Sequence, residues 1–503
     1  MLHLQTPLEA SGWLHSRVSG TLQTDSRKVR PGDGFVAWPG AAADGRHYVQ
    51  AALQQGAGAC LVEQVGVECF GFDSEAVASY ASLKAATGPL ASAYYRAPSE
   101  QLDVIAVTGT NGKTSTAWWL AQALSALEPP LARPCGMVGT LGIGRPPRVE
   151  STGMTTPDPV LLQQHFRRFL DEGVQACAIE ASSIGLAERR LDGTRIKVAV
   201  FTNFTQDHLD YHGSMQAYWQ AKLELFAWPG LEAAVVNLDD PRGGDLASVL
   251  SGGGLDLWTI SCTGPARLQA RDVGFDGQGL SFTVAEQAEA HFLRTHLIGQ
   301  YNVSNLLGVL GAMRALGIPL APAVQACSTL LPVPGRMECL AQPDQPLVVV
   351  DYAHTPDALE KALGALRIVA DQRQGQLWCL FGCGGDRDPG KRPVMGSVAE
   401  KGADRVVLTS DNPRSEPPDA IIHQIQQGLL NGSNAHVEVD RAAAIGHALS
   451  QASARDVVLL AGKGHEDYQE IKGVRRPFSD LTEALGALQR RRVVLGLREG
   501  VQA

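Results

Sequence analysis

The sequence predicts an α/β protein with about three domains and mostly parallel sheets. Its length of 503 residues is too great for one hydrophobic core, because a domain usually holds roughly 150 residues. From residue 104 onwards, an apolar run leads through a glycine loop into a helical pattern. Beyond residue 336, four more apolar runs each end in a polar cluster, which is typical of strands in a parallel sheet that binds ligands at one edge.

Composition limits the kinds of partner. Hydrophobic residues make up 44% of the chain and charged residues 19%, which are values of globular domains. The net charge of −9, without a basic block, argues against nucleic acid as a partner. The start is not signal-like and no apolar run reaches membrane-spanning length, so we expect a cytoplasmic protein without membrane insertion. The nine cysteines lack metal-site spacing, which favours reduced structural thiols.

The glycine loop at residues 109–114 indicates a site for a nucleoside triphosphate. Gly109 and Gly112 let backbone N–H groups approach phosphate oxygens, Lys113 supplies a positive charge, and the Thr114 hydroxyl can bind Mg²⁺. The loop is shorter than the general P-loop pattern, whose first glycine would fall on Val107. A helix predicted over residues 116–127 would place the positive end of its dipole behind the loop.

Two segments of the same unit carry candidate metal ligands. Glu180 follows the apolar run at residues 176–179, where a carboxylate could bind Mg²⁺ or position a water molecule. A glutamate at an ordinary loop start would give the same pattern. The run at residues 198–204 leads into a cluster that includes Asp207 and His208. His208 is either a metal ligand or a loop histidine held by the backbone.

Lys222 lies where a lysine is not expected. Ser214 is predicted to cap a helix whose apolar stripe includes Tyr218, Trp219 and Phe226. Lys222 falls inside this stripe, where burial disfavours the charged ammonium and lowers its pKa. The side chain either reaches past the apolar surface to solvent or stays inside as a neutral amine. A neutral amine can add CO₂ to become a carbamate, which would offer a carboxylate to a metal ion.

The last third of the chain predicts a ligand crevice. The four polar clusters begin at Asp351, Gly384, Asp411 and Gly462, after apolar runs at residues 347–350, 377–381, 406–408 and 457–460. The carboxyl ends of parallel strands meet at one edge of a sheet, so all four clusters would line the same crevice. Before this unit, Asn302 and Asn305 lie in the first turn of a predicted helix. They either cap this helix or form hydrogen bonds with the edge of a nucleotide base.

Five motifs together resemble the Mur ligase family, in order along essentially the whole chain. They are Gly-Thr-Asn-Gly-Lys-Thr at 109–114, Asp-His-Leu-Asp at 207–210, Asn-Val-Ser-Asn at 302–305, Gly-Arg-Met-Glu at 335–338 and Asp-Asn-Pro-Arg at 411–414. The resemblance implies a smaller N-terminal α/β domain at residues 1–98 that binds a UDP-substrate. It also implies a central P-loop ATPase domain at 99–335 and a C-terminal Rossmann-like domain at 336–503 that binds an amino acid.

The resemblance implies an ATP-dependent, ADP-producing acid–amino-acid ligase of peptidoglycan synthesis with Mg²⁺ as cofactor. It is strongest to members that add meso-2,6-diaminopimelate to UDP-N-acetylmuramoyl-L-alanyl-D-glutamate, and we expect a monomer. A lysine-adding Mur ligase and a folylpolyglutamate synthase-like ligase are the alternatives. A GTP-dependent regulatory switch would need an Asn-Lys-x-Asp motif to bind guanine, and the sequence lacks this motif. A simple kinase would not need the four clusters of the third unit.

By position in the motifs, the resemblance assigns the site residues. Catalysis is assigned to Lys113, Glu180, His208 and Lys222, and metal binding to Thr114, Glu180, His208 and Lys222, the last as N6-carboxylysine. The ATP-binding residues would be Gly109, Thr110, Asn111, Gly112, Lys113, Thr114, Asn302, Arg336 and Asp351. The UDP-substrate would contact Thr24, Ser26, Thr155, Thr156, Ser182, Glu188 and Arg190. Diaminopimelate would contact Arg387, Asp411, Asn412, Pro413, Arg414, Gly462 and Glu466. Ile184 and Glu188 depart from the family pattern, in which histidine and glutamine are common.

Overall fold

The computed structural model describes residues 1–40, 43–275, 279–430 and 435–494. The first unit is an α/β layer. Its elements are β1 Leu2–Leu4, α1 Pro7–His15, β2 Leu22–Gln23, β3 Gly34–Ala37, α2 Val49–Gln54, β4 Ala59–Glu63, β5 Val77–Tyr80 and α3 Leu83–Tyr94. The five strands form one parallel sheet in the order β1-β5-β4-β3-β2.

The central unit is built on one large sheet. Its first elements are β6 Asp103–Thr108, α4 Lys113–Ala126, β7 Cys135–Gly139, β8 Gly142–Arg145, β9 Arg148–Glu150, α5 Pro159–Asp171, β10 Ala176–Glu180, α6 Ser183–Ala187, β11 Val198–Phe201, α7 Leu209–His212 and α8 Met215–Leu223. The remainder are β12 Ala233–Asn237, α9 Pro241–Leu250, β13 Asp256–Ser261, β14 Leu268–Phe275, β15 Leu280–Glu286, β16 Glu289–Arg294, α10 Tyr301–Ala315 and α11 Leu320–Ser328. The strand order is β16-β15-β14-β13-β12-β11-β6-β10-β7-β8-β9, parallel from β14 to β7 and antiparallel at both ends.

Strand β6 lies in the middle of this sheet, between β10 and β11. Its side chains alternate between two cores, as the two-residue period of a strand requires. Ile105 and Val107 pack with helices α4 and α10 on one face, and Val104 and Ala106 pack with α5 on the other. Because both faces are covered, β6 is apolar along its length, and its carboxyl end carries the glycine loop to the edge of the sheet.

The C-terminal unit repeats the parallel design on a smaller scale. Its elements are β17 Glu338–Leu340, β18 Leu347–Asp351, α12 Pro356–Arg373, β19 Leu377–Phe381, α13 Lys391–Gly402, β20 Arg405–Leu408, α14 Pro418–Gln426, β21 Ala435–Val437, α15 Arg441–Gln451, β22 Val457–Ala461, β23 Tyr468–Ile471, β24 Val474–Pro477 and α16 Asp480–Val494. The main sheet has the order β17-β18-β22-β19-β20-β21, and only β17 is antiparallel. Strands β18, β22, β19 and β20, which are the four predicted runs, are neighbours.

The structure confirms the predicted α/β class with three successive units. The helix predicted over residues 116–127 begins three residues earlier, at Lys113, because Gly112 in the left-handed conformation turns the chain directly into the helix. The domain limits at residues 98 and 335 remain predictions. The first sheet ends at residue 80 and the second begins at residue 103, while the second ends at residue 294 and the third begins at residue 338. Among the described helices, none combines the length and apolar character needed to cross a membrane.

Candidate active site

The glycine loop closes tightly over the end of β6. Gly109 has φ +144° and Gly112 has φ +85°, conformations that favour glycine. A Cβ atom on Gly109 would lie 1.9 Å from Thr202 Oγ1, and a Cβ atom on Gly112 would lie 2.3 Å from Asn305 Oδ1. Both positions therefore exclude a side chain. The loop and the first turn of α4 line a cleft, where the helix N-terminus favours an anion.

Lys113 bends back over the loop that precedes it. Its Nζ donates hydrogen bonds to Gly109 O at 2.9 Å and to Thr110 O at 2.8 Å. Burial lowers the pKa of Lys113, and the Glu180 and Asp207 carboxylates oppose this effect. The amine is thus kept beside the backbone N–H groups that would hold a phosphate group.

Glu180 and Thr114 form an oxygen pair at the end of β10. Glu180 is 1% exposed, and its Oε2 accepts hydrogen bonds from Thr114 Oγ1 at 2.9 Å and from Thr140 Oγ1 at 3.2 Å. Its Oε1 accepts one from Thr140 N at 2.8 Å. Arg336 reaches the pair from the C-terminal unit, since its Nη2 donates to Thr114 Oγ1 at 3.2 Å. A carboxylate, a hydroxyl and a cation from another domain therefore converge where the triphosphate would end.

Thr114 and Glu180 offer oxygen ligands of the kind that bind Mg²⁺ together with the phosphates of a nucleotide. Mg²⁺ prefers oxygen ligands and is usually held by one or two carboxylates together with phosphate oxygens and water. In the ranges that the structure describes, no three His, Cys, Asp or Glu side chains are grouped so that they could hold a metal ion. Thr114 and Glu180 therefore fit as partial ligands, and metal binding by His208 and Lys222 stays a prediction.

His208 lies in an unusual conformation beside Asp207. Its φ is +53°, which is uncommon for a residue other than glycine. The Asp207 Oδ2 atom is 3.6 Å from His208 Nε2 and 3.9 Å from Nε2 of His354 in the C-terminal unit. Burial lowers the pKa of His208, against the opposing charge of Asp207, and burial lowers the pKa of His354 to about 4. Two neutral imidazoles from different units thus flank one carboxylate.

Lys222 faces inward on α8, as its place in the apolar stripe predicts. Ser214 caps this helix by accepting a hydrogen bond from Ala217 N at 3.2 Å. Lys222 is 1% exposed, so the alternative that it reaches solvent is wrong. Its Nζ donates to Gly109 O at 2.8 Å and lies 4.4 Å from the centre of the Tyr218 ring. Burial lowers its pKa well below the ordinary value, which favours the neutral amine at this position next to the phosphate loop.

The loop and the C-terminal unit enclose one cleft of about 770 Å³, a size within the usual range of ligand sites. The predicted ATP residues Asn302, Arg336 and Asp351 all line it. Arg336 Cζ lies 4.3 Å from the centre of the Tyr352 ring, a cation–π contact that orients the guanidinium. Burial raises the pKa of Asp351, which the Arg336 charge opposes.

A second hydrogen bond, besides that from Arg336 to Thr114, joins the phosphate loop to the C-terminal unit. Asn111 Nδ2 donates to Asp357 Oδ2 at 2.9 Å, in the first turn of α12. Asp357 also forms an ion pair with Lys361 at 2.9 Å. The backbone N–H of Asn111 donates to Asn203 Oδ1 at 2.9 Å, which ties the loop to the central sheet. The positions of the loop and of α12 are therefore coupled.

Four of the residues predicted to bind the UDP-substrate lie together next to Glu180. Thr156 Oγ1 donates to Glu180 O at 2.7 Å and is 3.0 Å from Ser182 Oγ. Arg190 Nη1 donates to Thr156 O at 3.0 Å. Thr155 and Ser182 line the same cleft as the phosphate loop. This group therefore lies directly beside the Glu180–Thr114 pair.

The other three candidates for this substrate are outside the lining of the cleft. Thr24 and Ser26 lie on the N-terminal unit, where Ser26 begins a short 3₁₀ turn. Glu188 is engaged on both oxygens, because Oε2 pairs with Lys84 Nζ at 2.7 Å and Oε1 accepts from Tyr211 Oη at 2.5 Å. The hydrogen bond from Lys84 lowers the pKa of Glu188. The carboxylate therefore links the N-terminal unit to the segment that follows His208.

The predicted amino-acid residues gather at the carboxyl ends of β20 and β22. Gly462 has φ +113°, and a Cβ atom there would lie 2.5 Å from Asp411 Oδ2, so the close approach of that carboxylate requires glycine. Asn412 Nδ2 donates to Glu466 Oε2 at 2.8 Å. Burial raises the pKa of Glu466. Two carboxylates and an amide are thus brought together from loops far apart in sequence.

Two cations lie on the same edge of the sheet. A Cβ atom on Gly384 would lie 3.0 Å from Arg414 Nη1 and 3.7 Å from Arg387 Cγ, so both arginines border this glycine. Arg414 has φ +51°, and its Nη1 donates to Gly385 O at 2.7 Å. Pro413 packs its carbonyl against Gly385. The site combines positive and negative groups, as recognition of a zwitterion requires.

The structure adds three residues that the sequence analysis did not single out. Thr140 holds both oxygens of Glu180, Asp357 binds the phosphate loop, and Lys463 binds Glu466. Lys463 lies in the polar cluster after β22, and this position could have identified it as a candidate site residue from the sequence. No sequence pattern indicated a role for Thr140 or Asp357, because a loop threonine and an acidic residue in a first helical turn are common.

Comparison with known proteins agrees with the arrangement of three units. Three family models match consecutive parts of the chain: "Mur ligase family, catalytic domain" at residues 20–95, "Mur ligase middle domain" at 107–313 and "Mur ligase, glutamate ligase domain" at 335–464. Together they span most of the chain. The chain belongs to the Mur ligase family, as the sequence motifs predict.

Several similar relatives carry one name, UDP-N-acetylmuramoyl-L-alanyl-D-glutamate–2,6-diaminopimelate ligase. The protein from Acidovorax sp. (strain JS42) is 63% identical over 494 residues, which cover 97% of this chain and 99% of that protein. The protein from Janthinobacterium sp. (strain Marseille) is 48% identical, with 95% and 96% covered. A solved structure with the same name is 36% identical, covers 94% of this chain and 95% of that chain, and has a TM-score of 0.64.

Proposed function

We propose that this protein is an ATP-dependent ligase that joins meso-2,6-diaminopimelate to the D-glutamate of UDP-N-acetylmuramoyl-L-alanyl-D-glutamate. The observation that carries the proposal is the relative with 63% identity over nearly the whole chain, whose name states this activity. The geometry supports it, because the phosphate loop and the C-terminal unit line one cleft. We further propose that the protein acts as a monomer in the cytoplasm, where ATP and the UDP-linked substrate are present.

The reaction has two steps that the residues of the cleft can serve. The D-glutamate carboxylate attacks the γ-phosphorus of ATP, which forms an acyl phosphate and releases ADP. The free amine of diaminopimelate then attacks the acyl carbon, the amide bond forms, and inorganic phosphate leaves together with the proton of the amine. Lys113 and Arg336 lie where negative charge develops on the transferred phosphoryl group, and fixed cations there stabilise the transition state.

Magnesium would be held by Thr114 and Glu180 together with phosphate oxygens, and it would neutralise charge on the phosphates. Glu180 is placed for this role because Thr140 fixes both of its oxygens. Without a nucleotide, the same oxygens bind Thr114 and Thr140. Hydrogen bonds to the protein therefore keep the buried carboxylate satisfied.

Lys222 is proposed to carry a carbamate. Burial lowers the pKa of its amine and so favours the neutral form, which is the form that adds CO₂ with loss of one proton, and the amine donates a hydrogen bond to Gly109 O in the phosphate loop. The product would be a negative group close to Lys113, whose positive charge already depresses the pKa of Lys222. This neighbourhood repels an ammonium and favours a carboxylate, so the charge pattern supports the modification.

The residues at the carboxyl edge of the C-terminal sheet favour diaminopimelate over lysine. Diaminopimelate carries a carboxylate and an amine on its far stereocentre, whereas lysine carries only the amine there. Arg414 and Arg387 supply cations for that carboxylate and Glu466 supplies an acceptor for the amine. A lysine-adding ligase would gain nothing from Arg414. A folylpolyglutamate synthase-like ligase would not be expected to carry the Asp-Asn-Pro-Arg motif at residues 411–414.

Mass spectrometry of the product decides between these activities. The purified protein is incubated with ATP, UDP-N-acetylmuramoyl-L-alanyl-D-glutamate and one candidate amino acid at a time, and ADP release is followed in parallel. We expect a UDP-tripeptide only with meso-diaminopimelate, with one ADP formed per product. Equal product with L-lysine would contradict the proposal. ADP release without the UDP-substrate would point instead to a switch or a kinase.

A further inference from the structure

Lys463 is a fully buried lysine beside the predicted amino-acid residues Glu466 and Asn412, and no step of the proposed reaction uses it. Its side chain is 0% exposed, and its Nζ lies 2.9 Å from Glu466 Oε2 and 3.2 Å from Asn412 Oδ1. The ring of Tyr468 is centred 5.6 Å from the same nitrogen. A buried ammonium is stable only when it is paired and hydrogen-bonded. These contacts meet that requirement, so Lys463, Glu466 and Asn412 form one hydrogen-bonded cluster.

Within this hydrogen-bonded cluster, the bonding of each polar atom can be identified. Asn412 Oδ1 accepts from Lys463 Nζ and, at 2.9 Å, from Glu470 N, so the oxygen of the amide is fixed on that side. Its Nδ2 is then turned to donate to Glu466 Oε2 at 2.8 Å. Glu466 Oε2 thus receives two donors, while Oε1 receives no hydrogen bond from the residues that the structure describes. Oε1 is the oxygen left for a ligand.

We propose that Lys463 is a positioning residue of the amino-acid site. It holds Glu466 and Asn412 so that Glu466 Oε1 can accept a hydrogen bond from the ammonium on the far stereocentre of diaminopimelate. This inference rests on the proposed function. Lys463 does not touch the reacting atoms, and its effect on amino-acid binding passes through Glu466.

The charges around Glu466 indicate which property Lys463 controls. Burial raises the pKa of Glu466 and the Asp411 carboxylate raises it further, whereas Lys463 and the hydrogen bond from Asn412 lower it. The other charged or titratable groups that interact with Glu466 are Arg441 on α15, Tyr352 after β18 and Tyr468 on β23. Tyr352 and Tyr468 stay neutral at physiological pH, because burial raises their pKa. Lys463 is therefore a main support of the ionised carboxylate, which is the form that accepts from an ammonium.

The test compares Lys463→Met with wild type in steady-state kinetics, with meso-diaminopimelate varied at saturating ATP and UDP-dipeptide. Methionine keeps the length of the side chain and removes the charge. We expect the KM for diaminopimelate to rise about tenfold or more, while the KM for ATP stays within about twofold. The acid limb of the pH profile of kcat/KM for diaminopimelate should move to higher pH, because Glu466 becomes protonated more easily without Lys463. Lys401→Met, an exposed lysine on α13, is the matched control and should leave all parameters unchanged.

A role that is only structural would lower thermal stability without moving the acid limb, and that result would overturn the proposal. If Lys463→Met does not fold because Glu466 is left unpaired, Glu466→Gln is compared with the Lys463→Met/Glu466→Gln double variant. We then expect little further loss from removing Lys463, because its effect passes through Glu466. An equally large loss in the Gln background would refute the proposal. Failure of wild type to incorporate diaminopimelate would contradict the proposed function itself, and the wild-type reaction shows this before any variant is made.

Discussion

Arg414→Ala tests the choice of amino acid most directly. Arg414 lies on the edge of the C-terminal sheet next to Arg387, and one of its nitrogens, Nη1, already donates to Gly385 O at 2.7 Å. In the part of the chain that the structure describes, the other N–H groups of the guanidinium have no hydrogen-bond partner, so they remain for a ligand. They fit the carboxylate on the far stereocentre of diaminopimelate, which lysine does not have. Removing the arginine should therefore weaken the reaction with diaminopimelate and leave the reaction with lysine unchanged or improved.

The size of the effect follows from the kind of contact. A hydrogen bond to a charged group contributes about 1.5–3 kcal/mol, and we take about 2 kcal/mol here, because one nitrogen of Arg414 is held by the backbone. At about 1.4 kcal/mol per factor of ten, the ratio of kcat/KM for diaminopimelate to that for lysine should fall roughly 30-fold. Arg405→Ala, which removes an exposed arginine from the start of β20, is the matched control.

The assay is competition between meso-diaminopimelate and L-lysine at equal concentration, with both UDP-tripeptides measured by mass spectrometry. Competition reports the ratio of kcat/KM values, so it does not depend on the fraction of active enzyme. An unchanged product ratio in Arg414→Ala would refute the assignment of the carboxylate to Arg414. A similar fall in Arg405→Ala would show that general loss of charge causes the effect.

Three more predictions concern the central and C-terminal units. Lys222→Ala should nearly abolish ligation while the protein remains folded, and short carboxylic acids added to the assay should restore part of the activity; full activity without them would rule out a carbamate role. Lys113→Ala should stop ADP production, while calorimetry should still detect UDP-dipeptide binding within about threefold of wild type, because the UDP part of the substrate is predicted to bind the N-terminal unit and not the phosphate loop; loss of both would show that the two sites are not separate. Arg441→Met should lower the free energy of unfolding in denaturant titrations by roughly 3–5 kcal/mol, because Asp480, which is fully buried with Arg441, loses its partner. The Arg441→Met/Asp480→Leu double variant should recover much of this loss, and an equal loss in both variants would contradict that explanation.

Much of the fold could be predicted from local sequence patterns. The runs that became β6, β10, β11, β18, β19, β20 and β22 are short, apolar and bounded by polar residues, which is typical of strands covered on both faces. The inward place of Lys222 followed from helical periodicity alone. The order of strands could not be derived in this way, because nothing local indicates that β6 lies between β10 and β11.

The contacts between units could not be predicted from the sequence either. Glu188 could be flagged as unusual, but its partners Lys84 and Tyr211 lie 104 and 23 residues away. The hydrogen bond from Asn111 to Asp357 spans 246 residues. Such pairs depend on how the domains are arranged, and side chains of these types are common on any protein surface.

The central position of β6 has a consequence for how the protein is made. Thr108, the last residue of β6, pairs with Phe201 of β11, and Val107 pairs with Glu180 of β10. The strands on both sides of the phosphate loop are therefore translated well after the loop itself. At roughly 5–20 residues per second, the ribosome needs about 5 to 20 s to travel from the loop to the end of β11. Until β10 has been made the apolar β6 segment has no neighbour in the sheet, and until β11 has been made it has only one. Chaperones that bind nascent apolar segments should therefore have their greatest effect on this enzyme during that interval of synthesis.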